Sequence, residues 1–395
     1  MNLKFIGGIL MILGTSIGAG MLALPIASAT EGFITSTILL ILCWFVMTIG
    51  ALLILEVILW LPENTNMISM AKLTLGKHWQ IVAWISYLLL LYALLCAYIS
   101  GNSDILQSAL LAIHISIPRW LSTVCIVLIL GNIIYQGVYS VDIVNRSLMT
   151  IKLIIYFLLI LTVAPHIQIH HLMYSNTKIS IVTIMVMITS FGFAIIIPSL
   201  RTYFKSNIQQ LRKIILIGSA IPLIFYIIWA AIVQGVLPNN ILKHLAISVH
   251  TTTGLSHQLS LQVNNLWIGS FIHIFTSICA LTSFLGVSLC LFDFLADGFN
   301  LKKRGKEGWL VCSITFLPPL LIILYAPGAF ILALSYAGIF CIMVLILLPA
   351  LMAWHGRYVK KIHGEYKVWG GKPLLIIELL ASVILIGWKV IHIIT

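Results

Sequence analysis

Long runs of apolar residues, separated by short polar segments, divide this chain into about eleven parts. Each run has the roughly 20 mainly apolar residues that an α-helix needs to cross the hydrocarbon core of a membrane. Because the connecting segments are short, the pattern predicts one all-α polytopic membrane domain over residues 1–395. The predicted spans lie near residues 5–27, 33–61, 79–108, 120–141, 148–165, 180–200, 212–237, 265–293, 309–326, 328–352 and 374–394.

The first predicted span is interrupted by glycine and hydroxyl residues. Residues 14–20 read GTSIGAG, and each glycine destabilises a helix interior by roughly 1 kcal/mol relative to alanine. The centre of the sixth predicted span, at 189–192, reads TSFG, and a proline follows each interruption, at Pro25 and Pro198. Paired interruptions in corresponding helices are typical of transporters built from two inverted repeats. For either break alone, close helix packing through small residues is the alternative.

The positions of the two interruptions predict how the domain is organised. Helices one to five would form a first repeat over residues 1–165, helices six to ten a second over 180–352, and residues 374–394 an additional helix. A break at membrane depth leaves backbone N–H and C=O groups that cost several kcal/mol if unpaired. A substrate carboxylate can pair with the N–H groups, helped by the half-helix dipole, and an ammonium with the carbonyls. The breaks therefore predict a binding site near the midplane.

Composition and charge support a membrane protein of defined orientation. The chain is 61% hydrophobic and 8% charged, whereas soluble domains carry about 25% charged residues. Of the 22 lysines and arginines, all but four fall on the side of the N-terminus; the four are Arg119, Lys178, Lys243 and Lys389. Since positive residues are retained in the cytoplasm, the N-terminus is predicted to be cytoplasmic and the C-terminus to lie on the outer side. This placement accounts for the net charge of +12, and we expect no nucleic-acid partner.

The sequence has few features of catalytic or metal-binding proteins. Its seven cysteines form no CxxC pair and fall in or beside predicted spans, where cysteine usually packs as a small apolar residue. There is no HExxH or phosphate-loop motif. We therefore expect no disulfide, no metal site, no cofactor, no catalytic residues and no enzymatic activity.

The segment GTSIGAGMLALP at 14–25 resembles the first-helix signature of the hydroxy and aromatic amino acid permeases, and most of all bacterial tyrosine-specific permeases. This family belongs to the amino acid–polyamine–organocation superfamily, so the resemblance implies a leucine-transporter-type fold of five plus five inverted helices. The resemblance covers essentially the whole chain, continuing through LLLYALLCAYISG (89–101), TSFGF (189–193), LRKIILIGSAIPL (211–223), ALTSFLGVSLCLFDFLADG (280–298) and ALSYAGI (333–339).

The resemblance also implies a function and a location. The chain would import an aromatic amino acid with a proton, tyrosine in the first place and phenylalanine or tryptophan as further substrates. It would act in the bacterial plasma (inner) membrane, with its C-terminus in the periplasm. Its expected partners are the amino acid, a proton and membrane lipid. Two alternatives stay open, a symporter of serine or threonine and an amino acid sensor that does not transport.

The predicted binding site combines the two breaks with the third span. Backbone groups of the first break would bind the substrate main chain, and aromatic rings of the second would pack on its side chain. In the third span we choose Tyr92, and we expect Tyr98 to be an interfacial aromatic. The predicted substrate-binding residues are Thr15, Ser16, Ile17, Gly18, Ala19, Gly20, Tyr92, Phe191, Gly192 and Phe193.

Two further expectations follow from the resemblance. Some proton-driven members of the superfamily place a helix-five lysine where sodium-driven members hold an ion between helices one and eight. Lys152 would be that lysine here, with Thr282 and Ser283 as acceptors, because burial disfavours a charged ammonium and so lets it release a proton. The alternative is that Lys152 extends to the membrane surface.

After FGF, this chain departs from the tyrosine permeases. Those permeases commonly continue with a stretch of the His-Gly-Ser type, whereas residues 194–196 here are Ala-Ile-Ile. Two branched aliphatic side chains replace positions that could form hydrogen bonds. We therefore expect an apolar pocket that distinguishes poorly between tyrosine and phenylalanine.

Overall fold

The computed structural model of the protein describes residues 3–62, 65–204, 207–248, 250–263, 266–362 and 364–394, and all regular elements in these ranges are helices. Ten helices in this part of the chain are long and apolar enough to cross a membrane, and a bent pair at the N-terminus makes an eleventh span. The predicted all-α fold is therefore confirmed. The spans are α1a (Leu3–Ser16), α1b (Ala19–Ala27), α2 (Phe33–Leu59), α3 (Lys77–Ala112), α4 (Arg119–Gln136), α5 (Val138–Val163), α6a (Ile181–Ser190), α6b (Ile197–Phe204), α7 (Ile208–Val236), α8 (Leu266–Gly298), α9 (Gly305–Tyr325), α10 (Phe330–Ile342, continued to Val359) and α11 (Gly371–Ile394).

Both predicted interruptions are present. Helix α1a ends at Ser16, and α1b begins at Ala19 with a bend of 52°. Helix α6a ends at Ser190, and a 3₁₀ segment, Gly192–Ile196, joins it to α6b. The glycines and the Thr-Ser pairs thus mark the positions where the regular helix stops.

The fifth span differs from the prediction at its start. The fourth span was predicted to end near residue 141 and the fifth to begin near 148, yet α4 ends at Gln136 and α5 begins at Val138. Residues 138–147, which read VYSVDIVNRS, therefore belong to α5. Only Gly137 separates α4 from α5, and its φ of 100° allows the reversal that other residues rarely adopt. The polar residues form the first turns of α5, so Lys152 lies in the interior of this helix rather than near its start.

The halves α1b and α6a lie in the middle of the bundle. Helix α1b packs on α6a, and α6a also packs on α10, which is covered by α3. Helix α1a packs on α7, and α5 packs on α8. Helix α11 contacts α10 and α6a.

Buried polar contacts join the C-terminal end of α1b to the N-terminal end of α6a. These are the ends that lie away from the central breaks. Glu31 is fully buried, and its carboxylate accepts a hydrogen bond from the N–H of Ser180 at 2.8 Å. The carbonyl of Glu31 accepts from the N–H of Asn176 at 2.8 Å. The Thr183 hydroxyl donates to the carbonyl of Ala27 at 2.7 Å. These bonds tie α1b and α6a into one unit.

Candidate functional site

The break in helix 1 presents backbone groups of which some already have partners in the protein. The N–H of Ile17 donates to the carbonyl of Leu13 at 2.8 Å. The N–H of Ala19 donates to the Ser283 hydroxyl on α8 at 2.7 Å. Among the N–H groups predicted to bind a carboxylate, those of Gly18 and Gly20 are therefore the better candidates.

The Ser16 side chain adds a polar group to the break. It is buried, and its hydroxyl oxygen has no hydrogen-bond partner among the described residues. Buried polar side chains are nearly always paired, so an unpaired hydroxyl at this position is available to a ligand. Ser16 ends α1a, and the N–H groups of Gly18 and Gly20 lie at the start of α1b, the helix end that carries a partial positive charge.

Lys152 extends from α5 into the break of helix 1. Its ammonium nitrogen lies 2.6 Å from the carbonyl oxygen of Ile17 and 3.3 Å from the hydroxyl oxygen of Thr282. The residue is fully buried, so it does not extend to the membrane surface. Lys152 and Thr282 therefore come together as predicted, whereas Ser283 bonds to Ala19 instead.

Two glycines let neighbouring helices approach the breaks closely. A methyl group added to Gly18 would lie 2.1 Å from the hydroxyl oxygen of Ser283. One added to Gly20 would lie 2.8 Å from the hydroxyl oxygen of Ser190 on α6a. Both distances are shorter than real methyl contacts, so a methyl group at either position would force the facing serine hydroxyl to move.

The second break contributes two buried aromatic residues. Phe191 and Phe193 are both fully buried, so neither faces lipid. The ring of Phe191 packs on that of Tyr226 with a centroid distance of 5.3 Å, within the usual range for aromatic pairs. Gly192 is half-buried, and a methyl group there would meet only the sulfur of Cys341, at 3.9 Å.

The structure does not bring Thr15 and Tyr92 into this cluster. Thr15 is exposed, and its hydroxyl bonds to the carbonyls of its own helix at Met11 and Ile12. The Tyr92 hydroxyl donates to the carbonyl of Ile314 on α9 at 2.7 Å. That carbonyl has no helix partner because Pro318, four residues later, lacks an N–H.

Two tyrosines that sequence reasoning missed do lie at the site. The hydroxyl of Tyr226 on α7 contacts the carbonyl of Ser16 at 2.6 Å and that of Ser190 at 2.9 Å. Tyr98 on α3, which was expected at the interface, is buried and interacts with the Ser283 side chain. No feature of the sequence marks Tyr226, since it is one aromatic residue among many in an apolar span.

Comparison with solved structures shows a known fold. The manganese transporter of Eremococcus coleocola, solved with an aromatic bis-isothiourea substituted compound, superposes with a TM-score of 0.67 over 98% of this chain and 87% of that chain. The two sequences are only 13% identical, so the likeness shows the fold alone. It agrees with the predicted leucine-transporter-type arrangement with broken helices 1 and 6.

Comparison with known sequences shows the family. The model of the tryptophan/tyrosine permease family matches residues 1–389. Tyrosine-specific transport system 1 of Haemophilus influenzae is 35% identical over 97% of this chain and 95% of the relative. The tryptophan-specific transport protein of the same species is 32% identical over 94% of this chain and 92% of the relative. With its broken central helices and full-length match, the chain belongs to the tryptophan/tyrosine permease family and is a multi-pass membrane transport protein rather than an enzyme.

Proposed function

We propose that this protein imports an aromatic amino acid together with a proton across the bacterial plasma membrane, with tyrosine as its main substrate and phenylalanine or tryptophan as further ones. The relatives named for tyrosine and tryptophan transport support the substrate class. The observation that carries the proposal is the buried ammonium of Lys152 in the break of helix 1, whose second half packs on the first half of the broken helix 6. The site thus offers backbone N–H groups, carbonyls and a group that can exchange a proton.

The proposed binding mode assigns each charge of the amino acid to one kind of backbone group. The substrate carboxylate accepts hydrogen bonds from the N–H groups of Gly18 and Gly20 and from the Ser16 hydroxyl. The ammonium donates to the carbonyls at the ends of α1a and α6a, which have no partner within their own helices. The aromatic side chain packs against Phe191 and Phe193, which are buried and follow the end of α6a in the chain.

The proposed coupling group is Lys152. A protonated Lys152 holds the carbonyl of Ile17 and the hydroxyl of Thr282, and so joins α5 and α8 to the break. Loss of the proton removes the charge from these two bonds and weakens them, because hydrogen bonds to charged groups are stronger. The protonation state of Lys152 therefore affects how strongly the break of helix 1 is bound to α5. A proton-coupled carrier requires a link of this kind between proton binding and helix position.

The proposed orientation places the N-terminus in the cytoplasm and the C-terminus in the periplasm. The distribution of lysine and arginine supports it. We further propose that residues 1–165 and 180–352 are the two inverted repeats and that 374–394 is the additional helix. Labelling of single cysteines introduced at Lys302 and Lys243 with a membrane-impermeant reagent in whole cells tests the orientation. We expect only the cysteine at position 243 to react, and the reverse result would contradict the proposed orientation.

Uptake by the purified full-length chain in proteoliposomes tests the function. We expect labelled tyrosine to accumulate when an inward proton gradient is imposed, and unlabelled aromatic amino acids to compete better than the other natural amino acids. Preferential competition by serine or threonine would instead identify a hydroxy amino acid symporter. Binding without uptake or exchange would identify a sensor.

A further inference from the structure

The hydroxyl of Tyr226 bridges the two broken helices. It lies 2.6 Å from the carbonyl oxygen of Ser16, the last residue of α1a, and 2.9 Å from that of Ser190, the last residue of α6a. The side chain is fully buried, and its ring is packed on Phe191. One side chain of α7 therefore contacts the end of each half-helix at the same point.

The chemistry of this contact is that of a donor shared between two acceptors. A phenol has one proton, whereas the last carbonyls of an α-helix have no partner within the helix. Leaving such groups unpaired at membrane depth is unfavourable. The Tyr226 hydroxyl thus satisfies, within the protein, the carbonyls that face each other across the site.

These are the same carbonyls to which the proposed function assigns the substrate ammonium, and the inference rests on that assignment. We infer that Tyr226 is a positioning residue that takes the place of the substrate ammonium in the empty carrier. When the amino acid binds, its ammonium, with three N–H donors, replaces the single shared proton of the phenol. When it leaves, Tyr226 again pairs the carbonyls, and the empty carrier can close and reorient.

This role affects two modes of transport differently. Net uptake requires the empty carrier to return across the membrane in every cycle. Exchange of internal for external amino acid uses only the loaded carrier, in which the ammonium already pairs the carbonyls. Loss of the Tyr226 hydroxyl should therefore slow net uptake and leave exchange largely intact.

The test compares Tyr226→Phe with wild type in proteoliposomes, with transport expressed per mole of folded protein. We expect net uptake of labelled tyrosine to fall about tenfold and exchange to change by less than about twofold, because the cost of an unpaired carbonyl falls on the empty state. The matched control is Tyr156→Phe. The Tyr156 hydroxyl is also buried and bonds to a carbonyl, at 2.9 Å, but that carbonyl belongs to Phe225 in the interior of α7. This control should leave the ratio of net uptake to exchange unchanged.

A second measurement separates this role from a merely structural one. The thermal midpoint of purified protein is measured with and without saturating tyrosine, since a ligand stabilises the state that it binds. We expect a larger gain from tyrosine in Tyr226→Phe than in wild type or Tyr156→Phe, because only there does the ligand supply a missing donor. Equal losses of net uptake and exchange, unchanged net uptake, or equal thermal gains would each overturn the inference. Wild-type exchange tests the proposed function separately, since its absence would overturn that function whatever the variant does.

Discussion

The ammonium nitrogen of Lys152 lies 2.6 Å from the carbonyl oxygen of Ile17, deep in the protein and in the break of helix 1. A buried ammonium is costly unless it is paired, and here the partners are one carbonyl and the hydroxyl of Thr282. Among the described ion pairs, none involves this lysine. Its charge is thus compensated by neutral groups only.

Lys152→Gln tests the coupling role. Glutamine can still donate a hydrogen bond to a carbonyl but cannot take up a proton and become charged. We expect the variant to exchange labelled tyrosine but not to accumulate it above the external concentration under a pH gradient. Lys303→Gln, which alters a half-exposed lysine paired with Asp293, serves as the control and should accumulate normally. Accumulation driven by pH in Lys152→Gln, or an obligatory requirement for sodium, would show that Lys152 is not the coupling group.

Gly18→Ala tests the close approach of α1 to α8. The added methyl group would lie 2.1 Å from the Ser283 hydroxyl, which must rotate away and give up its bond to the Ala19 N–H. We expect uptake to fall by about fivefold or more, since a lost buried hydrogen bond costs about 1–3 kcal/mol. Gly286→Ala is the matched control. Gly286 lies on α8, as Ser283 does, but a methyl group added there meets nothing within 4 Å. Normal uptake by Gly18→Ala would contradict the assigned geometry.

Competition between amino acids tests the apolar stretch after the second break. Ala194 is buried and Ile195 and Ile196 are half-buried in the 3₁₀ segment, and none of the three offers a side-chain partner to a phenol. We expect phenylalanine to compete with tyrosine within roughly tenfold, a difference below about 1.4 kcal/mol. A site built to bond the hydroxyl would reject phenylalanine by about 10⁴-fold or more. Strong rejection of phenylalanine would mean that another helix recognises the phenol.

Glu56→Gln tests an ion pair that lies away from the site. The Glu56 carboxylate accepts hydrogen bonds from Arg357, at 2.7 Å and 2.5 Å, and from the N–H of Val368 at 2.6 Å, beside a cavity of about 400 Å³. Both side chains are at most 3% exposed, so removing one charge leaves the other buried and should destabilise the fold by about 3–5 kcal/mol. In Asp297→Asn, where the carboxylate is 75% exposed, we expect a change below about 1 kcal/mol. Thermal unfolding in detergent measures both, and similar midpoints for the two variants would contradict the expectation.

The spans and both breaks could be predicted from the sequence because each depends on local features. A membrane helix must satisfy its own backbone, so its length and apolar character are visible in the sequence. The start of α5 was missed because polar residues can continue a helix beyond the hydrocarbon core. Gly137 was the available signal for the true turn, since a positive φ favours glycine.

The choice between Tyr92 and Tyr98 could not be made from the sequence. Helix α3 is contacted by α8, α9 and α10, so protein covers several of its faces, and helical periodicity does not tell which face meets the site. The Tyr92 hydroxyl bonds to the Ile314 carbonyl on α9, which has no partner within that helix because Pro318 lacks an N–H. A search for carbonyls four residues before each proline would have indicated this partner. No comparable local signal marks Tyr226, whose partners are distant in sequence.

The two breaks also differ in how far a change of helix type within them would change the length of the helix. Helix 1 changes direction over two residues, Ile17 and Gly18, whereas helix 6 passes through five residues of 3₁₀ helix at Gly192–Ile196. A 3₁₀ helix rises about 2.0 Å per residue and an α-helix about 1.5 Å, so conversion of this segment to α-helix would shorten helix 6 by about 2.5 Å. Arg201 on α6b donates to carbonyls at the end of α2, including that of Leu61 at 2.8 Å. These bonds link any displacement of α6b to α2. Helix 6 therefore contains a segment whose change of helix type would alter its length, whereas the two residues between α1a and α1b form no such segment.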